Sequence, residues 1–167
     1  MRHLLLVAVA AVALSSSALA QETGPQPLST GLTASVSVGG GAELGLDQGE
    51  GDAGVLEAEV AIGWELTSIG LRPELAAALG VAPDGHVALR PGVRWELPGL
   101  PIQLRVALDA SNARDGDLRW RWLLVGAAGE VRFTSLLGLF GEIDTGAPLG
   151  SDSGLPLLVR AGASFRF

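Results

Sequence analysis

The sequence predicts an all-β fold: an eight-stranded antiparallel up-and-down β-barrel that spans a membrane. Three observations predict it. Apolar residues recur at every second position through eight segments, the period of a strand with one face in an apolar medium. The composition is 48% hydrophobic and 17% charged with 24 glycines, and all 11 basic residues are arginine, so the lysine-rich surface of an ordinary soluble domain is missing. The chain also opens with the layout of an export signal, beyond which no uninterrupted apolar run is long enough to cross a bilayer as a helix.

The first stretch, "MRHLLLVAVAAVALSSSALA", has a basic start at Arg2, an apolar run from Leu4 to Leu14 and a small-residue Ala-Leu-Ala end. It predicts a cleavable signal peptide over 1–20, a flexible periplasmic leader over 21–30 and a barrel over 31–167. Cysteine is absent, which excludes both a lipid anchor at the cut and a disulfide-stapled fold.

Segment one, "LTASVSVGGGAELGL" (32–46), sets Leu32, Val36, Val38 and Leu44 against Thr33, Ser35, Ser37 and Glu43. Segment two, "LEAEVAIGWEL" (56–66), sets Leu56, Val60, Ile62 and Trp64 against Glu57, Glu59 and Glu65. Segment three, "IGLRPELAAALGV" (69–81), opposes Leu71, Leu75 and Leu79 to Arg72 and Glu74. Segment four, "HVALRPGVRWEL" (86–97), opposes Val87, Leu89, Val93 and Trp95 to Arg90, Arg94 and Glu96. Segment five, "IQLRVALDA" (102–110), opposes Ile102, Leu104, Val106 and Leu108 to Gln103, Arg105 and Asp109. Segment six, "RWRWLLVGAAGEVRF" (119–133), slips phase near Trp122 and Leu123, which predicts a bulge. Segment seven, "LLGLFGEID" (136–144), is the least regular and places Phe140 with Gly138 and Glu142. Segment eight, "LLVRAGASFRF" (157–167), sets Val159, Ala161, Ala163, Phe165 and Phe167 against Arg160, Gly162, Ser164 and Arg166. Pro73 is expected at a strand entrance, and Pro91 at a local irregularity, because proline cannot donate to a ladder.

Connections alternate in character. "DQGEGDAG", "APDG", "SNARDGD" and "TGAPLGSDSG" are acidic and rich in turn formers, whereas "TS", "PGLP" and "TSL" are short and uncharged. Polar loops at one end and tight turns at the other describe a meander and match the loop-and-turn pattern of membrane barrels.

Alternation alone does not say which face points inward. The apolar face carries the large side chains, while the polar face mixes glycine, alanine and serine with charges, which suits the narrow bore of eight strands. The polar faces hold eight glutamates (Glu43, Glu57, Glu59, Glu65, Glu74, Glu96, Glu130, Glu142) and nine arginines (Arg72, Arg90, Arg94, Arg105, Arg119, Arg121, Arg132, Arg160, Arg166). Such balance is what a closed lumen requires, since a buried charge is costly unless paired. Trp64, Trp95, Phe133, Phe165 and Phe167 gather toward the turn end, and Trp120 and Trp122 toward the loop end, as in aromatic girdles at two headgroup levels. Together these turn the charges inward and the apolar side chains to lipid.

The signal layout, eight alternating segments, short turns, polar loops and terminal "ASFRF" resemble the small outer-membrane β-barrels of the OmpA/OmpX kind. The resemblance is one of pattern over 31–167. It implies the outer membrane of a diderm bacterium, contact with outer-membrane lipid and lipopolysaccharide, and a monomer. It also implies that Phe167 and the alternate Phe165 act as the signal read by the barrel-assembly machinery.

Candidate chemistry is thin. His86, the one histidine beyond the signal, stands near Asp84, and Ser111, Ser151 or Ser153 could in principle complete a hydrolytic set, but nothing in the sequence brings them together. The acidic loops offer oxygen ligands without full calcium-loop spacing, so no metal and no cofactor are expected. No nucleic-acid partner is expected of a chain with net charge −7. The sequence therefore points to a non-enzymatic outer-membrane barrel with a salt-bridged lumen and a structural or surface-interaction role. The alternatives are a narrow small-solute channel, a lipid-modifying enzyme and a soluble periplasmic ligand-binding barrel.

Overall fold

The computed structural model describes residues 31–45, 53–66, 69–82, 84–112, 116–150 and 153–167. The expected signal and leader over 1–30 lie outside the described residues. Eight strands run in chain order: β1 (Gly31–Leu44), β2 (Ala53–Glu65), β3 (Leu71–Ala82), β4 (His86–Glu96), β5 (Ile102–Ser111), β6 (Arg119–Arg132), β7 (Leu137–Pro148) and β8 (Leu155–Arg166). Each pairs antiparallel with its neighbours, and β1 pairs with β8 from Thr33↔Arg166 to Leu44↔Leu155, which closes the barrel. Closure leaves no strand edge whose bare N–H and C=O groups would each cost several kcal/mol in hydrocarbon.

The exposure pattern is that of a barrel in lipid. Leu56, Val60, Ile62 and Leu104 face outward, 39–60% exposed, while Arg90, Arg105 and Arg160 are at most 2% exposed. A barrel built for water would hide the first set and wet the second. Trp64, Trp95, Phe133, Phe165 and Phe167 lie on the outer face toward the turn end, and Trp120 lies outside toward the loop end.

The turns follow their residues. Pro98 and Gly99 occupy the central positions of the β4–β5 turn, with Leu100 N–H donating to the Leu97 carbonyl (3.1 Å) and Gly99 at φ 76°. Proline presets the first position and glycine alone enters the second without strain. In the β6–β7 turn the Thr134 hydroxyl accepts from Leu136 N–H (3.2 Å) and Leu137 N–H (3.0 Å), a side-chain mimic of a backbone turn.

Three departures from regular pairing matter. Asp109 pairs with Trp122 and Ala110 with Trp120, leaving Arg121 as the extra residue of a bulge; this is the irregularity that the phase slip in segment six predicts. A second bulge, without a sequence signal, leaves Val81 extra, because Leu56 pairs with Ala82 and Glu57 with Gly80. Along β4–β5 the paired residues skip from Leu89↔Ala110 to Gly92↔Ala107, passing over Arg90 and Pro91, where proline has no N–H to give. Pro73 is the third residue of β3 and pairs with Val93. Several boundaries shift: β1 stops at Leu44 rather than 46, β2 begins at Ala53 rather than 56, β8 begins at Leu155 rather than 157, and β7 continues to Pro148, absorbing residues 145–148 that the sequence assigns to a loop.

Candidate functional site

The bore is filled by an ion-pair layer whose members come from six strands. Strand alternation sends Glu57 and Glu59 (β2), Glu74 (β3), Arg90 and Arg94 (β4), Arg105 and Asp109 (β5), Glu142 and Asp144 (β7) and Arg160 (β8) inward, all at most 8% exposed. Arg90 holds Glu57 with two parallel bonds, Nη1 to Oε1 at 2.5 Å and Nη2 to Oε2 at 2.8 Å. Its Nη1 also reaches Glu59 (2.7 Å) and its Nε reaches Asp109 (2.7 Å). Arg160 bonds Glu59 (2.6 Å) and Glu142 (2.7 Å) and pairs with Asp144. Arg105 lies 2.9 Å from Glu142, 2.9 Å from Glu74 and 3.2 Å from Glu59. Arg94 completes the layer through Glu74 (2.7 Å) and Glu142, with its guanidinium 5.8 Å from the centre of the Phe140 ring.

Each guanidinium thus serves two to four carboxylates. Charge-assisted, forked bonds of this kind are the strongest available to side chains. They are needed, because removing an ion from water costs several kcal/mol and only close pairing with further hydrogen bonds offsets it.

Glycine makes room for the large inward groups. A Cβ at Gly39 would strike the Arg160 stem, one at Gly126 the Asp144 carboxylate, and one at Gly80 the His86 ring. A Cβ at Gly63 would lie 3.1 Å from Arg72 Cγ, and one at Gly138 would lie 2.7 Å from Glu130 Oε1. The neighbouring strand therefore offers a bare backbone directly opposite Arg160, Asp144 and His86, and diagonally beside Arg72 and Glu130. Glycine facing a charge across a strand pair is a signal that sequence alone hides, since the facing partner depends on register.

Toward the turn end the pairs loosen. Glu130 accepts from Gln103 (2.6 Å), Ser164 (2.6 Å) and Arg166 (3.0 Å), and Gln103 accepts from Arg72 (3.2 Å). Arg166 lies 3.5 Å from Glu65. Arg132 bonds Glu96 at 3.1 and 3.3 Å with both side chains partly in solvent. Glu65, Gly70, Arg72, Arg94, Glu96 and Gln103 line a small recess at this mouth.

Two expected placements are corrected. Arg119 is not in the lumen: its side chain is 56% exposed at the loop rim, 3.5 Å from Asp117, because it stands at the first position of β6, where the wall ends. Trp122 is not on the outer face beside Trp120: it is buried and donates from Nε1 to the Gly154 carbonyl at 2.9 Å. The bulge at Arg121 shifts the alternation by one residue, so Arg121 and Trp122 both turn inward.

The lumen also holds groups that sequence reasoning left out of its charge balance. Asp109 was visible on the polar face of segment five, whereas Asp144 lay at the end of the irregular segment seven. With both included and Arg119 removed, the described lumen carries ten carboxylates and eight arginines, and the surplus falls in the central layer, where six carboxylates face four guanidiniums.

The residues considered for catalysis remain unlinked. His86 is buried, with Nδ1 2.8 Å from the Asp84 backbone carbonyl rather than its carboxylate. Ser111 is buried without a hydrogen-bond partner among the described residues, Ser153 faces Arg121 Nε at 3.4 Å, and Ser151 lies outside the described residues. All of "DQGEGD" and the centre of "NARDGD" also lie outside them. Among the described residues no three His, Asp or Glu side chains converge as a metal-ligand set.

No protein-family model matches the chain, and no curated protein matches it in sequence. Solved structures do match in fold. Neisserial surface protein A superposes with a TM-score of 0.55 at 12% identity, covering 85% of this chain and 100% of that one. The N-terminal β-barrel domain of Pseudomonas aeruginosa OprF superposes with a TM-score of 0.50 at 14% identity, covering 81% and 97%. A de novo designed transmembrane β-barrel gives 0.50 at 13% identity, covering 87% and 100%. The closed antiparallel wall, its apolar exterior and these likenesses together give the chain the fold of the small eight-stranded outer-membrane β-barrels.

Proposed function

We propose that this chain is an integral outer-membrane protein whose lumen is sealed by its ion-pair layer, and that its role is structural or lies in contacts made at the loop end. The single observation that carries the sealed lumen is the continuity of the layer. Arg90, Arg94, Arg105 and Arg160 are each bonded or ion-paired to a carboxylate on a strand that is not their neighbour, and an eight-stranded wall leaves little room besides. Lipopolysaccharide, divalent ions or an extracellular partner would meet the acidic loops, export would follow the N-terminal signal, and the C-terminal strand with Phe165 and Phe167 would engage the assembly machinery. The protein would act as a monomer without catalytic chemistry.

The test is planar-bilayer recording of the refolded barrel. A silent bilayer is expected; steady single-channel steps would overturn the seal. A second reading, a narrow channel for small solutes, is favoured by one observation, the acid surplus of the central layer. If current does appear, that surplus requires a reversal potential on the cation side in a salt gradient, and Asp144→Asn should shift it toward zero.

A further inference from the structure

The two ends of the barrel are made of different residues. Connections at the loop end are acidic, with Asp47, Glu50 and Asp52 after β1, Asp84 after β3, Asp115 and Asp117 after β5, and Asp152 after β7. The turn end has no charged residue in any connection: 66–70 reads "LTSIG", 97–101 "LPGLP" and 133–136 "FTSL". Each turn instead exposes a large apolar side chain. Ile69, Leu100 and Leu136, together with Phe167 after β8, are 52–72% exposed.

The turn backbones are largely bonded from within. In the β4–β5 turn Leu97 N–H donates to the Ile102 carbonyl at 3.0 Å and Leu100 N–H to the Leu97 carbonyl at 3.1 Å, while Pro98 and Pro101 have no N–H to satisfy. In the β6–β7 turn Phe133 and Thr134 N–H donate to the Leu137 carbonyl at 3.0 and 3.2 Å, and the Thr134 hydroxyl accepts from Leu136 and Leu137 N–H. Neighbouring segments are tied together as well. The Gly70 carbonyl accepts from Glu96 N–H (2.8 Å), the Leu136 carbonyl accepts from Arg166 N–H (3.0 Å), and Phe167 N–H donates to the Leu32 carbonyl (3.0 Å). Backbone bonded in this way loses little on leaving water, which is the condition for entering lipid.

Exposed apolar surface of this size marks a docking face, and its layout names the occupant. The turns follow β2, β4 and β6, and Phe167 follows β8, so an apolar tip stands at every second strand around the closed wall. A protein partner would meet one side of such a rim, whereas a leaflet meets all of it. The tips also continue lipid-facing rows, Leu100 beyond Trp95 and Phe167 beyond Phe165. Arg132 and Glu96, at the same end, stay partly in solvent, which keeps the rim at headgroup level rather than deeper.

We propose that Ile69, Leu100, Leu136 and Phe167 form an apolar foot seated in the phospholipid leaflet at the turn end, with their side chains at the boundary between acyl chains and headgroups. The foot goes beyond the sealed lumen and the loop-end contacts and depends on neither.

The chain has no cysteine, so single sites can be labelled. Ile69→Cys, Leu100→Cys and Leu136→Cys would each carry a nitroxide in the full chain, folded into phosphatidylcholine vesicles. Power-saturation electron paramagnetic resonance would compare collisions with oxygen, which concentrates in lipid, and with a neutral nickel chelate in the water on both sides. Val60→Cys, on the outer wall of β2, is the lipid reference. Asp117→Cys, where the native side chain is 77% exposed at the loop rim, is the water reference. All three turn sites should give an oxygen-to-nickel ratio at least threefold above that of Asp117→Cys. The heat-shifted electrophoretic band identifies folded variants, and the three turns are separate, so a misfolded one leaves the others to decide. Ratios equal to that of Asp117→Cys overturn the foot and leave the rim to a protein partner. A lipid-like ratio at one turn with water-like ratios at the rest overturns it too, because the apolar contact would then be one-sided.

Discussion

The central layer and the turn-end mouth use the same residue types and make opposite structures of them. In the centre, Arg90 and Arg160 have side chains 1% exposed and bind several carboxylates at 2.5–2.7 Å. At the mouth, Arg132 and Glu96 have side chains 29% and 41% exposed and meet at 3.1 and 3.3 Å. The difference is depth, which sets the alternative each charge has. A mouth arginine that loses its partner is rehydrated. A central carboxylate that loses its arginine has no water to turn to. An exposed pair is worth roughly 0–1 kcal/mol, whereas breaking a buried one costs about 3–5 kcal/mol.

That comparison can be broken by mutation. Arg160→Ala should have the largest effect, because it strips Glu59, Glu142 and Asp144 of a shared cation; a loss of about 3–5 kcal/mol is expected, read by urea unfolding in micelles with the heat-shifted electrophoretic band as the probe of folding. A loss below about 1 kcal/mol would mean that water reaches the layer. Gly126→Ala should come next. Its methyl would occupy the position of the Asp144 carboxylate, and about 1–3 kcal/mol is expected for overpacking; an unchanged urea midpoint would show that Asp144 can swing aside. Arg132→Ala should cost least, no more than about 1 kcal/mol, and the cost should shrink as salt rises, because solvated pairs are screened. A salt-independent cost would place the mouth pair in the same class as the centre.

The strands and their facing were legible because they are local. Leu56 through Trp64 alternate with Glu57, Glu59 and Glu65 whatever else the chain does, and a backbone of period two must put them on opposite sides. The inward turn of the arginines was legible too, from the small residues among them and the need to neutralise buried charge. The members of the lumen were legible less evenly. Trp122 carried a visible signal, the slip in phase, but a slip does not tell which residue is extra; the pairing of Asp109 and Ala110 decides that. Asp144 was hidden by the irregular alternation around Phe140. Arg119 fell outside because the wall ends beneath it, and strand ends depend on the partner strands. His86 and Ser111 show the converse: both are buried at the loop end, yet residue type alone gave no way to know that they share no hydrogen bond.

By itself the sequence determined that eight segments would be strands, that each would have one apolar and one charged face, and that lipid would meet the first. These follow from side-chain chemistry and the two-residue repeat, which act within a few positions of the chain. Tertiary structure alone decided which arginine meets which carboxylate, that Glu57 is shared by Arg90 and Arg160, 33 and 103 residues away, and that Arg121 spans the bore to Glu43, 78 residues away. Those contacts depend on strand register summed around the closed wall, where one bulge re-aims every side chain beyond it.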